Sequence, residues 1–217
     1  MLFSRFLGWF FKHLYTTWAR LYDAVAWSVS LGAWNKWILS LLPDLTGEAI
    51  LELGHGPGHL QAALHAQGSA RRIVGFDASR QMGRLAQARL EQLGFPAALT
   101  CGYAQQLPFT NTCFQQVVAT FPSEYIADPL TLDEIRRVLL PGGELLILPV
   151  AVPRQFALRA LFHVTGQAPA STALQHTGEL FCNALIQHGF TDTRAEIRKT
   201  KTASLLIVSG KAVSNQQ

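Results

Sequence analysis

From Glu48 onward, short apolar runs alternate with stretches of helical periodicity, and few folds accept that order. Ala49–Leu53 reads as a strand that runs into Gly54-His55-Gly56-Pro57-Gly58, followed by a helix reaching about Gln67. Arg72–Asp77 is a second strand and Arg80–Leu93 a second helix, closed by Gly94. Ala97–Cys101 and Phe114–Thr120 read as strands three and four. Pro129–Leu140 is a helix stopped by Pro141-Gly142-Gly143, and Glu144–Val150 is strand five. Such alternation predicts an α/β chain with a doubly wound, mostly parallel sheet and right-handed crossovers. The end breaks the rhythm. After a helix over Thr177–His188, stopped by Gly189, strands Phe190–Thr200 and Lys201–Lys211 follow with almost nothing between them. Only an antiparallel pair tolerates so short a connection, because parallel neighbours need a crossover of about a dozen residues.

Ligands of a doubly wound sheet lie outside the carboxyl ends of its strands. The Gly54–Gly58 loop is at that edge, where glycine lets the chain turn tightly and approach a ligand without a Cβ in the way. Asp77 ends strand two, 19 residues after Gly58, where a carboxylate can accept both hydroxyls of a ribose. Together they point to a nucleoside-containing ligand. A nicotinamide-binding loop places its third Gly or Ala three residues after the second glycine. Here that position is His59, and Gly58 lies two after Gly56.

That spacing resembles the E/D-x-G-x-G-x-G loop of class I S-adenosylmethionine-dependent methyltransferases, of the small-molecule type that includes quinone-biosynthesis C-methyltransferases. The likeness runs in order from Glu48 to Lys211. Ile50-Leu51-Glu52-Leu53-Gly54-His55-Gly56-Pro57-Gly58 is similar to the first motif. Asp77-Ala78-Ser79-Arg80-Gln81-Met82 resembles the D-x-S-x-x-M segment, and Leu107-Pro108-Phe109 a Leu-Pro-Phe piece after strand three. Glu134-Ile135-Arg136-Arg137-Val138-Leu139, with Leu140-Pro141-Gly142-Gly143, is similar to the helix and turn before strand five. The resemblance implies a seven-stranded, Rossmann-like methyltransferase fold with an antiparallel last strand, S-adenosylmethionine as cofactor, and a methyltransferase domain over residues 45–213.

By position, the resemblance implies that Gly54, Gly56 and Gly58 line the methionine end of the cofactor, with His55 beside them. Glu52 would hold its ammonium, Asp77 its ribose hydroxyls with Ala78 adjacent, and Met82 would pack on the adenine. Ala104 and Gln105 would sit at the adenine edge, and Phe121 under the methionyl side. Two departures stand out. The family's Gly-Asp-Ala after strand three is Gly102-Tyr103-Ala104 here, and its Phe-Asp at strand four is Phe114-Gln115. The adenine amino group then needs another partner, Gln105 or Gln106. Glu124 and Tyr125 are the candidate catalytic bases, with Tyr22 and Asp23 behind them; His163, His176 and His188 receive no role. Phe121-Pro122-Ser123-Glu124 stands where a DPPY-like tetrapeptide would mark amino methylation of nucleic acid or protein, which favours a small, hydrophobic or lipid-like acceptor.

Residues 1–40 are of another character. They hold all five tryptophans and eleven of the 22 aromatic residues, and a boundary falls near Leu42–Gly47, giving an N-terminal helical extension over residues 1–44. Phe3, Phe6, Leu7, Phe10, Leu14, Trp18 and Leu21 share one helical face, opposite Arg5, Lys12, Thr16 and Arg20. Residues 1–20 fit either a membrane-surface helix or ordinary packing on the domain, and residues 21–42 a lid or core helix.

With 49% hydrophobic and 15% charged residues, the chain is not disordered. Its net charge of +4 includes no Lys/Arg run, so no nucleic-acid partner is expected. Cys101, Cys113 and Cys182 are odd in number and form no CxxC pair, which fits a reducing compartment without disulfides or a metal site. The longest stretch free of Asp, Glu, Lys and Arg, residues 92–123, is broken by prolines, glycines and glutamines and cannot span a bilayer. Phe6–Phe11 is too short for a signal peptide. The expected place is the cytoplasm, peripheral to a membrane through residues 1–20. Two alternatives remain open: a non-catalytic S-adenosylmethionine-binding or membrane-associated protein of the same fold, and a nicotinamide-dependent oxidoreductase.

Overall fold

The computed structural model describes residues 33–68, 71–153 and 170–213. Two short helical pieces come first: α1 (Trp34–Leu39) and a 3-10 turn at Leu42–Asp44. Then follow β1 (Ala49–Leu53), α2 (His59–Ala66), β2 (Arg72–Asp77), α3 (Arg80–Gln92), β3 (Leu99–Cys101) and β4 (Phe114–Thr120). After a 3-10 turn at Glu124–Ala127 come α4 (Pro129–Val138), β5 (Leu139–Pro153), α5 (Ala170–Gln187), β6 (Phe190–Lys199) and β7 (Ala203–Ala212). The seven strands lie in the order β3-β2-β1-β4-β5-β7-β6. Pairing is parallel from β3 to β5, and β7 runs antiparallel to both β5 and β6. The doubly wound sheet with an antiparallel last strand is therefore present. Its order reverses at β1, with β2 on one side and β4 on the other, and the glycine loop leaves the sheet at that switch point.

Local chemistry sets the helix ends. Ser79 Oγ accepts from the Met82 N–H and starts α3. Asp128 does the same for Leu130 N–H at α4, where Pro129 occupies the first turn. Gly94 and Gly189, at φ of +72° and +77°, end the helices before them. β5 is longer than the expected Glu144–Val150. Leu139 already pairs with Phe114 before Pro141-Gly142-Gly143 loops out, and Glu144 resumes the ladder opposite Gln116. At the other end β7 carries the pairing on to Ala203 opposite Pro153. α5 likewise begins earlier than the expected Thr177.

Side chains alternate across the sheet and build two apolar layers. On one face Leu51, Leu53, Val117, Ala119, Leu145 and Ile147 pack with Leu132, Ile135 and Val138 of α4 and Leu185 of α5. On the other, Ile50, Val118, Leu146, Leu148 and Leu205 pack with Leu60 and Leu64 of α2 and with Trp37, Ile38, Leu41 and Leu45. Residues 33–45 thus supply one wall of the core. Each large side chain fully buried there contributes about 1.5–3 kcal/mol. Three polar ties fix this wall: Trp37 Nε1 donates to Thr202 Oγ1 at 2.8 Å, Arg198 Nη1 donates to the Ser40 carbonyl at 2.7 Å, and Arg198 pairs with Asp44 at 2.7 Å. The expected helices over residues 1–32 lie outside the described residues.

Gln115, at the position where the family carries Asp, has a structural role. Its Oε1 accepts from the backbone N–H groups of Glu48 and Ala49 and ties the start of β1 to β4. Glu134 and Arg137 hold the Leu107-Pro108-Phe109 segment. Glu134 Oε2 accepts from Leu107 N–H at 2.7 Å, while Arg137 donates to the carbonyls of Leu107 and Phe109. Arg137 keeps the Glu134 carboxyl below its ordinary range.

Candidate active site

β1 delivers Glu52 and the glycine loop to the carboxyl edge of the sheet, and β4 delivers Thr120 and Phe121 beside them. The three loop glycines differ in what they permit. All have positive φ: +69° at Gly54, +52° at Gly56 and +81° at Gly58. A Cβ on Gly54 would stand 2.8 Å from Tyr125 Oη, and one on Gly58 would stand 2.9 Å from the Ala86 Cβ of α3. A Cβ on Gly56 would meet nothing within 4 Å. Gly54 therefore admits the tyrosine, Gly58 admits close helix packing, and Gly56 presents bare backbone to open space.

The Gly56 peptide is held from both ends. Its N–H donates to Asp77 Oδ2 at 2.9 Å, and its carbonyl accepts from His55 Nδ1 at 2.7 Å. Asp77 Oδ1 accepts from the Ser79 N–H at 2.7 Å, so the carboxylate joins the loop after β1 to the start of α3. Each oxygen keeps a lone pair for a ligand hydroxyl. His55 is buried, and burial holds its imidazole below the usual histidine range despite the nearby Asp77 charge. Arg89 of α3 donates to the Pro57 carbonyl from the far side.

Glu52 is 1% exposed, and its Oε2 accepts from Gln61 Nε2 of α2 at 2.8 Å. Burial pushes its carboxyl up to about 8, the Gln61 hydrogen bond pulls it down, and Asp77 adds to the rise. Above it, Trp34 stacks on Phe121 with ring centroids 4.0 Å apart and planes 29° apart. Phe121 adopts φ +47°, a left-handed conformation that costs a non-glycine residue about 1–3 kcal/mol and that clusters at functional sites. Trp34, Ile38, Glu52, Gly56 and Thr120 line a cleft whose enclosed space is about 20 Å³. That is room for about one water, whereas a ligand of nucleoside size needs some hundreds of Å³ (roughly 300–1,000). Trp34, stacked on Phe121, lines the mouth of this cleft.

Of the residues expected at the site, Glu52, Gly54, His55 and Gly56 line the cleft, Gly58 caps α2 beside it, and Asp77 is bonded to its loop. Phe121 forms part of its cover through Trp34. Tyr125 donates its hydroxyl to the Leu53 carbonyl at 3.2 Å, next to Gly54, while Glu124 is exposed on the preceding turn. Met82 is buried in the first turn of α3; Ala78 is exposed, and its carbonyl accepts from Cys101 Sγ. Ala104 is buried, and Gln105 spends its amide on Asp128 at 2.8 Å, leaving its carbonyl oxygen as the group able to meet an adenine amino group. Tyr103 is 74% exposed. His188 bonds Asp133 at 2.9 Å, and His176 is exposed. Tyr22, Asp23 and His163 lie outside the described residues. The sequence reading missed Gln61 and the specific part of Trp34. Gln61 carried a signal: it is a polar side chain on the face of α2 that also buries Leu60 and Leu64.

Comparison with known proteins shows what the chain as a whole is similar to. Residues 50–143 match a family model described as a methyltransferase domain. The chain is 30% identical over 160 residues to a demethylmenaquinone methyltransferase of Symbiobacterium thermophilum, covering 70% of this chain and 64% of that one. It is 27% identical over 159 residues to a ubiquinone/menaquinone biosynthesis C-methyltransferase of Geotalea uraniireducens, covering 70% and 68%. The match thus spans less than two thirds of the first of these relatives. In three dimensions the chain is similar to Haemonchus contortus phosphoethanolamine N-methyltransferase 2, solved with phosphomonomethylethanolamine and S-adenosylhomocysteine. The TM-score is 0.60 at 16% identity, over 89% of this chain and 58% of that one, a likeness of fold.

Proposed function

We propose that this chain, which belongs to the class I S-adenosylmethionine-dependent methyltransferases, transfers a methyl group from S-adenosylmethionine to a small, planar, lipid-like acceptor of the quinone-precursor kind. The observation that carries the proposal is the Gly56 peptide, fixed by Asp77 and His55 with its open side toward the cleft, beside a buried carboxyl and beneath an aromatic cover. The residues fit the cofactor. Asp77 offers lone pairs for the ribose hydroxyls, Gly56 allows backbone approach, and Glu52 offers an anionic partner for an ammonium.

Bound there, S-adenosylmethionine supplies an electrophilic methyl on a cationic sulfur. The protein's part is chiefly to hold the acceptor in line with it and to exclude water, an orientation effect worth up to roughly 7–11 kcal/mol. Trp34 and Phe121 form a flat apolar stack, which suits a planar acceptor ring packing beside it. We assign Tyr125 Oη, at the bend beside Gly54, to the acceptor: its O–H donates to the Leu53 carbonyl, and its oxygen can accept a hydrogen bond from an acceptor hydroxyl. Acceptor chemistry comes by likeness to the quinone methyltransferases. A lipid-like acceptor also gives residues 1–20 a purpose, as a segment that holds the chain at the cytoplasmic face of a membrane. No helix among the described residues is long and apolar enough to cross a membrane.

The test is direct. The purified chain is incubated with methyl-labelled S-adenosylmethionine and a reduced demethylated naphthoquinone, and the product is read by mass spectrometry for one added methylene. Transfer to carbon supports the reading, and S-adenosylmethionine binding without transfer to any quinol leaves the non-catalytic alternative standing. If removing residues 1–20 leaves liposome binding unchanged, the membrane part is wrong.

A further inference from the structure

We propose that Glu52 waits in the ligand-free cleft as a neutral acid and gives up its proton when the ligand's ammonium group arrives, so that binding a cationic amino-acid end releases a proton to solvent. The inference rests on the function proposed above, because the ammonium is that of the cofactor.

The geometry around Glu52 carries it. The carboxyl is 1% exposed and its recorded hydrogen bond comes from the Gln61 amide, with no ion pair to a cation among the described residues. Gln61 is itself fully buried, and its Oε1 has no hydrogen-bond partner among the described residues. A carboxylate offers acceptors and no donor, so an ionised Glu52 leaves that oxygen stranded. A protonated Glu52 carries an O–H, the donor that the ionised form lacks, and the unpartnered Oε1 belongs to the same amide that bonds this carboxyl.

The charges facing Glu52 favour the same state. Asp77 of β2 stands across the glycine loop and opposes a second negative charge. His55, in the loop, is held neutral by burial. His59 opens α2 at the cleft, α1 contributes Trp34 and Ile38 with its Lys36 exposed, and β4 contributes uncharged Thr120. Burial raises the carboxyl to about 8, which agrees with the orphaned acceptor.

An incoming ammonium reverses the balance, because a carboxylate–ammonium pair in a dry cleft makes charge-assisted hydrogen bonds that the neutral acid cannot. Atoms and charge balance as carboxylic acid plus ammonium giving carboxylate paired with ammonium, and one proton passing to the buffer. The cleft thereby discriminates ligands by their amino-acid end.

The experiment is isothermal titration of the full chain with S-adenosylhomocysteine near pH 6.5, in buffers of different ionisation enthalpy, which counts protons exchanged on binding. The wild type is expected to release about one proton per ligand. Glu52→Gln, which preserves side-chain shape, is expected to bind about tenfold or more weakly and to release none. Methylthioadenosine, which has the nucleoside but no amino-acid end, is expected to bind wild type without release, an arm that needs no variant. Wild-type binding of S-adenosylhomocysteine without proton release overturns the inference alone, as does undiminished release by Glu52→Gln. Failure to bind S-adenosylhomocysteine at all overturns the proposed function and the inference with it.

Discussion

A Cβ placed on Gly75 of β2 would stand 2.9 Å from His55 Cδ2, so the buried imidazole occupies the space that the missing side chain leaves. The same His55 holds the Gly56 carbonyl at 2.7 Å. A glycine inside a strand, where it weakens pairing, is thus explained by a ring that braces the ligand loop from beneath.

Gly75→Ala is expected to destabilise the protein by about 1–3 kcal/mol through overpacking against His55 and to weaken S-adenosylhomocysteine binding. In a His55→Ala background the stability cost of Gly75→Ala should shrink, because the ring is gone and the Leu99 methyl, at 2.7 Å, is the flexible end of a side chain. Urea unfolding of the four proteins makes the check. Additive costs would rule out the pairing.

Glu52 makes stability depend on pH in an unusual direction for a carboxyl. Its folded pKa is raised, to about 8 from an ordinary 4.5. Between those values the folded state binds the extra proton, so the stability it contributes is present in full below about 4.5 and is lost as pH rises toward about 8. Relative to wild type, Glu52→Gln should gain stability progressively across that window. Denaturation midpoints of the two proteins, compared at several pH values, test it; parallel curves would contradict the assignment.

Trp34→Ala removes the stack on Phe121 and opens the cleft. Loss of the aromatic contact and its buried area should cost about 1–3 kcal/mol. S-Adenosylhomocysteine association in stopped-flow should become faster, since Trp34 no longer narrows the cleft it lines. Slower association would show that Trp34 builds the site and does not obstruct it.

Asp77→Ala strips acceptors from the Gly56 and Ser79 N–H groups. Leaving such donors unmatched costs about 1–3 kcal/mol, and the ribose loses its partner as well. Affinity for S-adenosylhomocysteine should fall at least tenfold or so (about 1.4 kcal/mol). Retained affinity in calorimetry would remove Asp77 from the site.

The parts of the fold legible in the sequence were those written locally. Strand and helix periods run over neighbouring residues, and the glycine spacing with Asp77 lies within one strand–helix–strand unit. What stayed hidden depends on partners far along the chain. Gln115 reads as a departure from the family until its bonds to Glu48 and Ala49 are seen. The Leu107–Phe109 and Glu134–Arg137 motifs look independent in the sequence, yet they are halves of one clamp. The length of β5 is set by β7, and no local signal in Ala151–Pro153 marks them as strand. At the site Glu52, Gly54, His55 and Gly56 meet in one cleft, while what each glycine makes room for had no local signal. The three glycines turned out to answer to a tyrosine, to open space and to a neighbouring helix.

The ties of Trp37 to Thr202, and of Ser40 and Asp44 to Arg198, anchor the far end of α1 to the β6–β7 hairpin, whereas Trp34 at its near end meets Phe121 through ring faces. Six residues of helix thus join the aromatic cover to the β6–β7 hairpin, so the hairpin, remote from the glycine bend in sequence, bears on the wall of the ligand cleft.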